Sequence, residues 1–267
     1  MLGSFGLSMH LLMNIIAAMV VGVGGRIRSR HEYPNPSFSF CVNLIFYLFC
    51  GVLSGALLGA TLPYLVMSWF GHPLPPYWYM GWQNWFGAVT GGSLAGLLFC
   101  RRYQCPVGQA FDFVAPLLPV ALAIVRIGCQ LAGDSQGKLT TRWPAIVLPD
   151  NQGVWASRYP TQIVDIFINL LIAGFLFGLE RWIARRKSPG WPFRGFLFWL
   201  YVLLFCAMRI YFEFWRADTL VLVAPFTWNH LYCVMGLLAA GVGMARGLRK
   251  AGMSLRVHRI PMTPQDM

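Results

Sequence analysis

Seven apolar segments dominate this 267-residue chain and leave few folds open to it. They cover roughly residues 8–25, 39–69, 84–100, 113–128, 161–182, 193–213 and 229–245. About 20 apolar residues suffice to cross the hydrocarbon core of a bilayer as a helix. Hydrophobic residues make up 57% of the chain and charged residues only 11%, against roughly a quarter charged in soluble domains. The expectation is an all-α polytopic membrane protein with about seven transmembrane helices. The second segment is long enough to tilt or overrun the membrane. The fourth is short, as a helix ending in a protein-lined cavity would be. The first apolar run lacks a basic region before it and a small-residue cleavage site, so no removable signal peptide is expected.

The net charge of +12 would suit nucleic acid, but its distribution argues against that. Arg26, Arg28 and Arg30 follow the first segment, and Arg101 and Arg102 the third. Arg181, Arg185, Arg186, Lys187 and Arg194 lie between the fifth and sixth. Arg246, Arg249, Lys250, Arg256 and Arg259 follow the seventh. These fifteen of 21 basic residues sit at alternate segment ends. Basic residues concentrate on the cytoplasmic side, which puts the N-terminus outside, the C-terminus in the cytoplasm and a headgroup-facing girdle on the inner face. The domain reading is one membrane domain over 1–246, a small outer-face cap loop over about 129–160, and a basic cytoplasmic tail over 247–267. The outer stretch His72–Trp85 is rich in Pro, Trp and Tyr, side chains that prefer the interface.

Charges inside or beside apolar segments need a reason, because each costs on the order of 3 kcal/mol on insertion scales. Arg126 opens the stretch Arg-Ile-Gly-Cys-Gln-Leu-Ala-Gly-Asp-Ser-Gln-Gly137 at the outer end of the fourth segment. An interfacial arginine before a glycine-rich turn is the plain reading. Arg209, Glu213 and Arg216 stand at i, i+4 and i+7, so a continuous helix would stack them on one face. They read either as a self-neutralising salt bridge or as a cationic site for a lipid phosphate. In the second case Glu213 orients the guanidiniums, whose forks suit phosphate. Asp165 reads as a capping or buried hydrogen-bonding acid, and Asp112 as a structural acid at a helix start. Gly51, Gly55 and Gly59 with Gly87, Gly91 and Gly92 read as close helix packing. His10 and His230 read as core histidines. Six cysteines read as small buried hydrophobes, with Cys129 set apart by its place in the arginine stretch. No metal-ligand set, P-loop or nucleophile elbow is present, so neither metal nor cofactor is expected.

In order, these motifs resemble the prolipoprotein diacylglyceryl transferase family. The resemblance is densest over 84–218. It runs through Arg101-Arg102, Asp112-Phe-Val-Ala-Pro-Leu-Leu-Pro119, Arg126-Ile-Gly, Tyr159-Pro-Thr-Gln162 and the trio Arg209, Glu213 and Arg216. It implies a seven-helix, multi-pass protein of the bacterial inner membrane. The implied reaction moves a diacylglyceryl group from phosphatidylglycerol to a lipoprotein-precursor cysteine. The implied catalytic residues are Arg126 and Arg209, with Asp134 as candidate base. Glu213, Arg216, Gly137, Gln162 and Cys129 are implied for substrate binding. The family's motif carries asparagines and a glutamate where this chain has Cys129, Ala132 and Asp134. Its histidine position falls on Phe86, its arginine at the end of the second segment on Thr61, and its N-terminal tyrosine on Phe5. Two other functions stay open: a non-catalytic phospholipid-binding relative, and a lipid or headgroup transferase with another acceptor. A nucleophilic Cys129 is a further alternative. The partners in every case are the membrane, an anionic phospholipid and an acceptor, with no nucleic acid.

Overall fold

The fourth apolar segment is not one helix. In the computed structural model, α4 (Val107–Val114) and α5 (Leu117–Ala132) meet at a 44° bend. Pro116 stands at the junction; it has no N–H to continue the helical ladder, and its ring displaces the preceding turn. The structure describes residues 2–32, 43–44, 46–55, 58, 69, 82–150, 152–185, 192–217 and 221–257. Helix α1 is Leu2–Glu32 and α3 is Trp82–Arg102. Between them lies α2, Phe46–Gly55. Beyond the bent pair come α6 (Thr161–Arg185), α7 (Phe196–Glu213) and α8 (Trp228–Val257). Among the described residues, Thr161–Arg185, Phe196–Glu213 and Asn229–Gly252 are long and apolar enough to cross a membrane. The bent pair makes a fourth if it is one span. Helix α8 continues past residue 246, so Arg249 and Lys250 stand on helix rather than on an unstructured tail.

α5 packs between α1 and α6, α7 packs along α8, and α4 reaches back to α7. Leu176 and Ala115 at the centre are fully excluded from solvent. α8 shows what the outside of this bundle expects. Its buried residues His230, Cys233 and Ala240 lie on one side, and Leu231, Met235, Leu238 and Val242 are exposed on the other. A contiguous stripe of that kind is costly in water and suited to lipid. The glycine expectation holds at α2 and α3: a Cβ on Gly51 would lie 2.6 Å from the Gly91 carbonyl oxygen, and one on Gly55 would collide with that of Gly87. Gly59 lies outside the described residues. Of the cysteines, Cys100, Cys206 and Cys233 are buried as expected, but Cys50 is exposed on α2, as a lipid-facing side chain can be; Cys41 lies outside the described residues.

Long-range ties hold the basic ends of the helices together. Arg28 near the end of α1 forks onto Glu180 near the end of α6, at 2.6 and 2.5 Å. Asp112 does not open its own helix, which starts at Val107 after Pro106. Its carboxylate instead accepts the backbone N–H groups of Gly195 (2.5 Å) and Phe198 (3.0 Å), capping the first turn of α7. Such a cap satisfies donors that a helix start leaves open.

Between α5 and α6 the chain forms an antiparallel hairpin, β1 (Ile146–Pro149) against β2 (Trp155–Arg158). Asp150 builds its turn. One carboxylate oxygen accepts the N–H groups of Val154 and Gln152, both at 2.9 Å, and the other receives Arg158 at 3.0 Å. The Val154 hydrogen bond, followed by Gln152 and Arg158, holds the Asp150 carboxyl below its ordinary value. A depressed folded-state value stabilises the turn fully above the unfolded carboxylate value of about 3.9. That contribution is lost as pH falls through the lower folded value. We therefore expect Val154 amide-exchange protection to fall as pH drops below about 4. Asp150→Asn should remove the pH dependence; unchanged dependence in the variant would place the titrating group elsewhere.

A second short hairpin, β3 (Val221–Val223) with β4 (Phe226–Thr227), links α7 to α8.

Candidate functional site

At the helix ends opposite those basic ties, three helices bring charged side chains to one place. Asp165, one turn into α6, is its centre. Its Oδ2 receives Arg126 Nε from α5 at 3.1 Å and Arg209 Nη1 from α7 at 3.1 Å. Asp165 is 4% exposed and Arg209 8%, so none of these charges is diluted by solvent. Breaking a buried pair of this sort leaves an uncompensated charge at a cost of about 3–5 kcal/mol.

Arg209 Nη2 also forms an ion pair with Glu213 Oε2, one turn on, across 3.2 Å. Glu213 is 1% exposed. Its other oxygen accepts Thr227 Oγ1 at 3.1 Å and Asn229 Nδ2 at 2.5 Å. The small second hairpin thus exists, in part, to deliver Thr227 to a buried carboxylate. His230 is the satisfied core histidine expected at its Nδ1, which accepts the Thr227 N–H at 3.0 Å.

The stacked ladder expected for Arg209, Glu213 and Arg216 does not form as one helix. α7 stops at Glu213, and Arg216 sits in an isolated bridge opposite Gly137. Three aromatics, Phe212, Phe214 and Trp215, crowd the end of the helix. Phe212 and Trp215 meet edge to face at 5.2 Å, and Trp215 stacks on Tyr159 at 5.1 Å. That packing turns the chain away from the helix axis. Arg216 is nonetheless 7% exposed and interacts electrostatically with both Arg126 and Arg209.

The stretch after Arg126 is fastened by the start of α6. Gly133 closes α5 at φ 71°, a left-handed cap that suits glycine. Ser135 follows at φ 58°, an uncommon conformation for a residue with a side chain. Its carbonyl accepts Thr161 Oγ1 at 2.9 Å, and its own hydroxyl accepts Arg126 Nη1 at 3.1 Å. Gln162 donates Nε2 to the Asp134 carbonyl at 2.7 Å. The Gln162 amide therefore braces the loop from the start of α6. Cys129 is buried, and its Sγ lies 3.7 Å from Arg126 Nη1. Gly137 passes so close to Tyr159 that a Cβ there would collide with the Tyr159 carbonyl oxygen.

Of the residues named from sequence, Arg126, Arg209 and Glu213 join one network, with Arg216 in electrostatic reach. Asp134, Gly137, Gln162 and Cys129 shape the loop beside it. Three residues of the network were not singled out from sequence: Ser135, Thr227 and Asn229. Asp165, read as a capping or buried hydrogen-bonding acid, proves the second of these: it is 4% exposed and accepts Arg209 Nη1 at 3.1 Å. The other three are ordinary polar residues with no signal of their own. Thr61 lies outside the described residues; Phe5 and Phe86 fall on α1 and α3.

Three guanidiniums against two carboxylates leave one positive charge in excess within an apolar helical frame. That combination is a buried cationic cluster in an all-α protein whose helices are long and apolar enough to cross a membrane. The chain belongs to the prolipoprotein diacylglyceryl transferase family, whose model matches residues 1–246, and it is accordingly a transferase. Similar relatives bear the name phosphatidylglycerol–prolipoprotein diacylglyceryl transferase. That of Bordetella avium is 29% identical over 249 residues, 92% of this chain and 86% of its own. That of Geobacter sulfurreducens is 29% identical over 79% of each chain. That of Nitratidesulfovibrio vulgaris is 30% identical over 79% of this chain and 77% of its own.

Proposed function

We propose that this chain transfers a diacylglyceryl group from phosphatidylglycerol to the cysteine thiol of a lipoprotein precursor, the reaction named for its relatives. One observation carries the reading: Arg126 and Arg209, from different helices, converge on a single carboxylate oxygen. In the reaction the thiolate sulfur bonds to a glycerol carbon of the donor. The bond from that carbon to the phosphate oxygen breaks, and glycerol phosphate leaves with the electron pair. Negative charge grows on the leaving oxygen, and fixed cations in a dry site stabilise it best. Arg126 and Arg209 supply them, and Arg216 adds a third. The thiol must lose its proton to react, and Asp134 is our candidate acceptor.

The topology we propose is seven spans, with the N-terminus outside and the C-terminus in the cytoplasm of a bacterial inner membrane. It is supported by the ties Arg28–Glu180 and Asp112–α7, which gather alternate helix ends on one side. The arginine site then faces the outer leaflet, where donor and precursor both enter from the bilayer. The loop over 129–160, with its hairpin, is the outer cap in this reading, and residues 1–246 form one domain.

The test is transfer by the purified chain from vesicles containing phosphatidylglycerol to a peptide bearing a lipobox cysteine, read by mass. A diacylglyceryl increment that needs both the lipid and the thiol is the expected result. Bound phospholipid with no increment would sink the reading and leave a lipid-binding relative. An increment on a serine-substituted or unrelated acceptor would point to a transferase of different specificity.

A further inference from the structure

We propose that Asp165 is a positioning residue for this transfer: an internal anion that holds Arg126 and Arg209 on one point, so that both guanidiniums meet the donor phosphate together. The inference rests on the reading above and goes beyond it, because Asp165 acts through the arginines and not on the substrate.

Two guanidiniums brought side by side repel each other, and free arginine side chains have many rotamers to choose from. Here a single oxygen, Asp165 Oδ2, sets both: Arg126 Nε and Arg209 Nη1 each lie 3.1 Å from it. Asp165 is itself fixed. Its backbone carbonyl accepts Asn169 Nδ2 at 2.8 Å in addition to its place in α6. The same helix start controls the far side of Arg126. Thr161, one turn before Asp165, holds the Ser135 carbonyl, and the Ser135 hydroxyl takes Arg126 Nη1. Arg126 is thereby gripped at both Nε and Nη1. Ser135 keeps this grip with a left-handed backbone, a conformation that persists where its surroundings over-determine it. The spacing Thr161-x-x-x-Asp165 puts both supports on one face of α6.

A mere charge neutraliser would act differently. Removing it would raise the positive charge of the site, strengthen the hold on an anionic lipid and leave turnover alone. A positioning residue, when removed, costs turnover while ground-state attraction of the lipid persists. Misplacing a reacting group by an ångström costs roughly a hundredfold in rate.

The experiment measures kcat and donor KM for the full chain in phosphatidylglycerol vesicles with Asp165→Asn, Asp165→Glu and Ser135→Ala. For Asp165→Asn we expect kcat to fall about a hundredfold with no rise in donor KM. Asp165→Glu, which restores the anion, should recover at least about a tenth of wild-type kcat. Ser135→Ala removes one grip without changing charge and should cost about tenfold in kcat. If Asp165→Asn does not purify folded, Ser135→Ala carries the test alone. Wild-type kcat in either Asp165→Asn or Ser135→Ala, or a raised KM with kcat intact, overturns the positioning role while the proposed reaction stands. Absence of transfer by the wild-type chain overturns the reaction itself.

Discussion

Arg209→Ala lowers diacylglyceryl transfer on the order of a thousandfold, the loss expected when one preorganised donor is taken from developing negative charge. The effect is large because Arg209 is joined to both acids of the site. Its Nη1 holds Asp165 and its Nη2 holds Glu213. Removing it takes a cation from the leaving phosphate and leaves two buried carboxylates short of a partner. Stability falls as well, by about 3–5 kcal/mol for a broken buried pair. Arg209→Lys separates the two effects. A lysine keeps the charge but is a point donor and not a planar fork. It should restore folding more than rate, leaving transfer at least tenfold below wild type at matched thermal stability. More than a tenth of wild-type activity in folded Arg209→Ala would remove Arg209 from the reaction.

Gly137→Ala inactivates the protein without touching a charged group. The added Cβ would meet the Tyr159 carbonyl oxygen, and that carbonyl has nowhere to go. The Tyr159 N–H is bonded to Lys138 at 3.1 Å, and its ring is stacked on Trp215. Lys138 is in turn bonded to the Trp215 carbonyl at 2.8 Å. One methyl group therefore pushes the stretch that carries Ser135 away from Tyr159 and disturbs the bridge between Gly137 and Arg216. We expect transfer to fall at least a hundredfold while the protein still inserts and purifies. Wild-type activity in Gly137→Ala would show that the close approach is not needed. A bulkier Gly137→Val should unfold the loop and expose the chain near 137 to protease.

The bundle was legible because lipid-facing helices must be apolar along their length, and six of the seven apolar segments coincide with described helices, the second only in part. The break at Pro116 lay within a segment read as continuous, although a proline between two apolar turns is a signal for a bend. The hairpin lies in a stretch read only as a small outer-face cap loop. Its turn was announced by Asp150 and Gly153 between two short apolar runs, a pattern that suits paired strands. The site was half legible. Arg126, Arg209 and Glu213 stood out because charge in an apolar run is costly. Asp165 carried the same cost, but a local explanation was at hand. Its partners lie 39 and 44 residues away on other helices, and no local pattern reports a contact at that distance. Asp112 shows the same limit, since it caps a helix that begins more than 80 residues later. Arg216 failed in the other direction: regular spacing suggested a helix that the aromatic cluster at its end had already stopped.

The single oxygen shared by Arg126 and Arg209 also bears on how such a chain can change over generations. Three side chains on three helices form one thermodynamic unit, and contacting residues of this kind are not additive in their effects. Losing any one leaves a buried charge short of a partner, so drift through single substitutions meets a barrier at each of the three. Cys129 and Ala132, in the last turn of α5, and Asp134, just past its cap, sit outside that unit; from Asp134 on, Thr161 and Gln162 brace the loop through its carbonyls. A loop held by its carbonyls tolerates new side chains. At Asp134, where this chain departs from the family pattern, the brace reaches the carbonyl, so the side chain can change without releasing it.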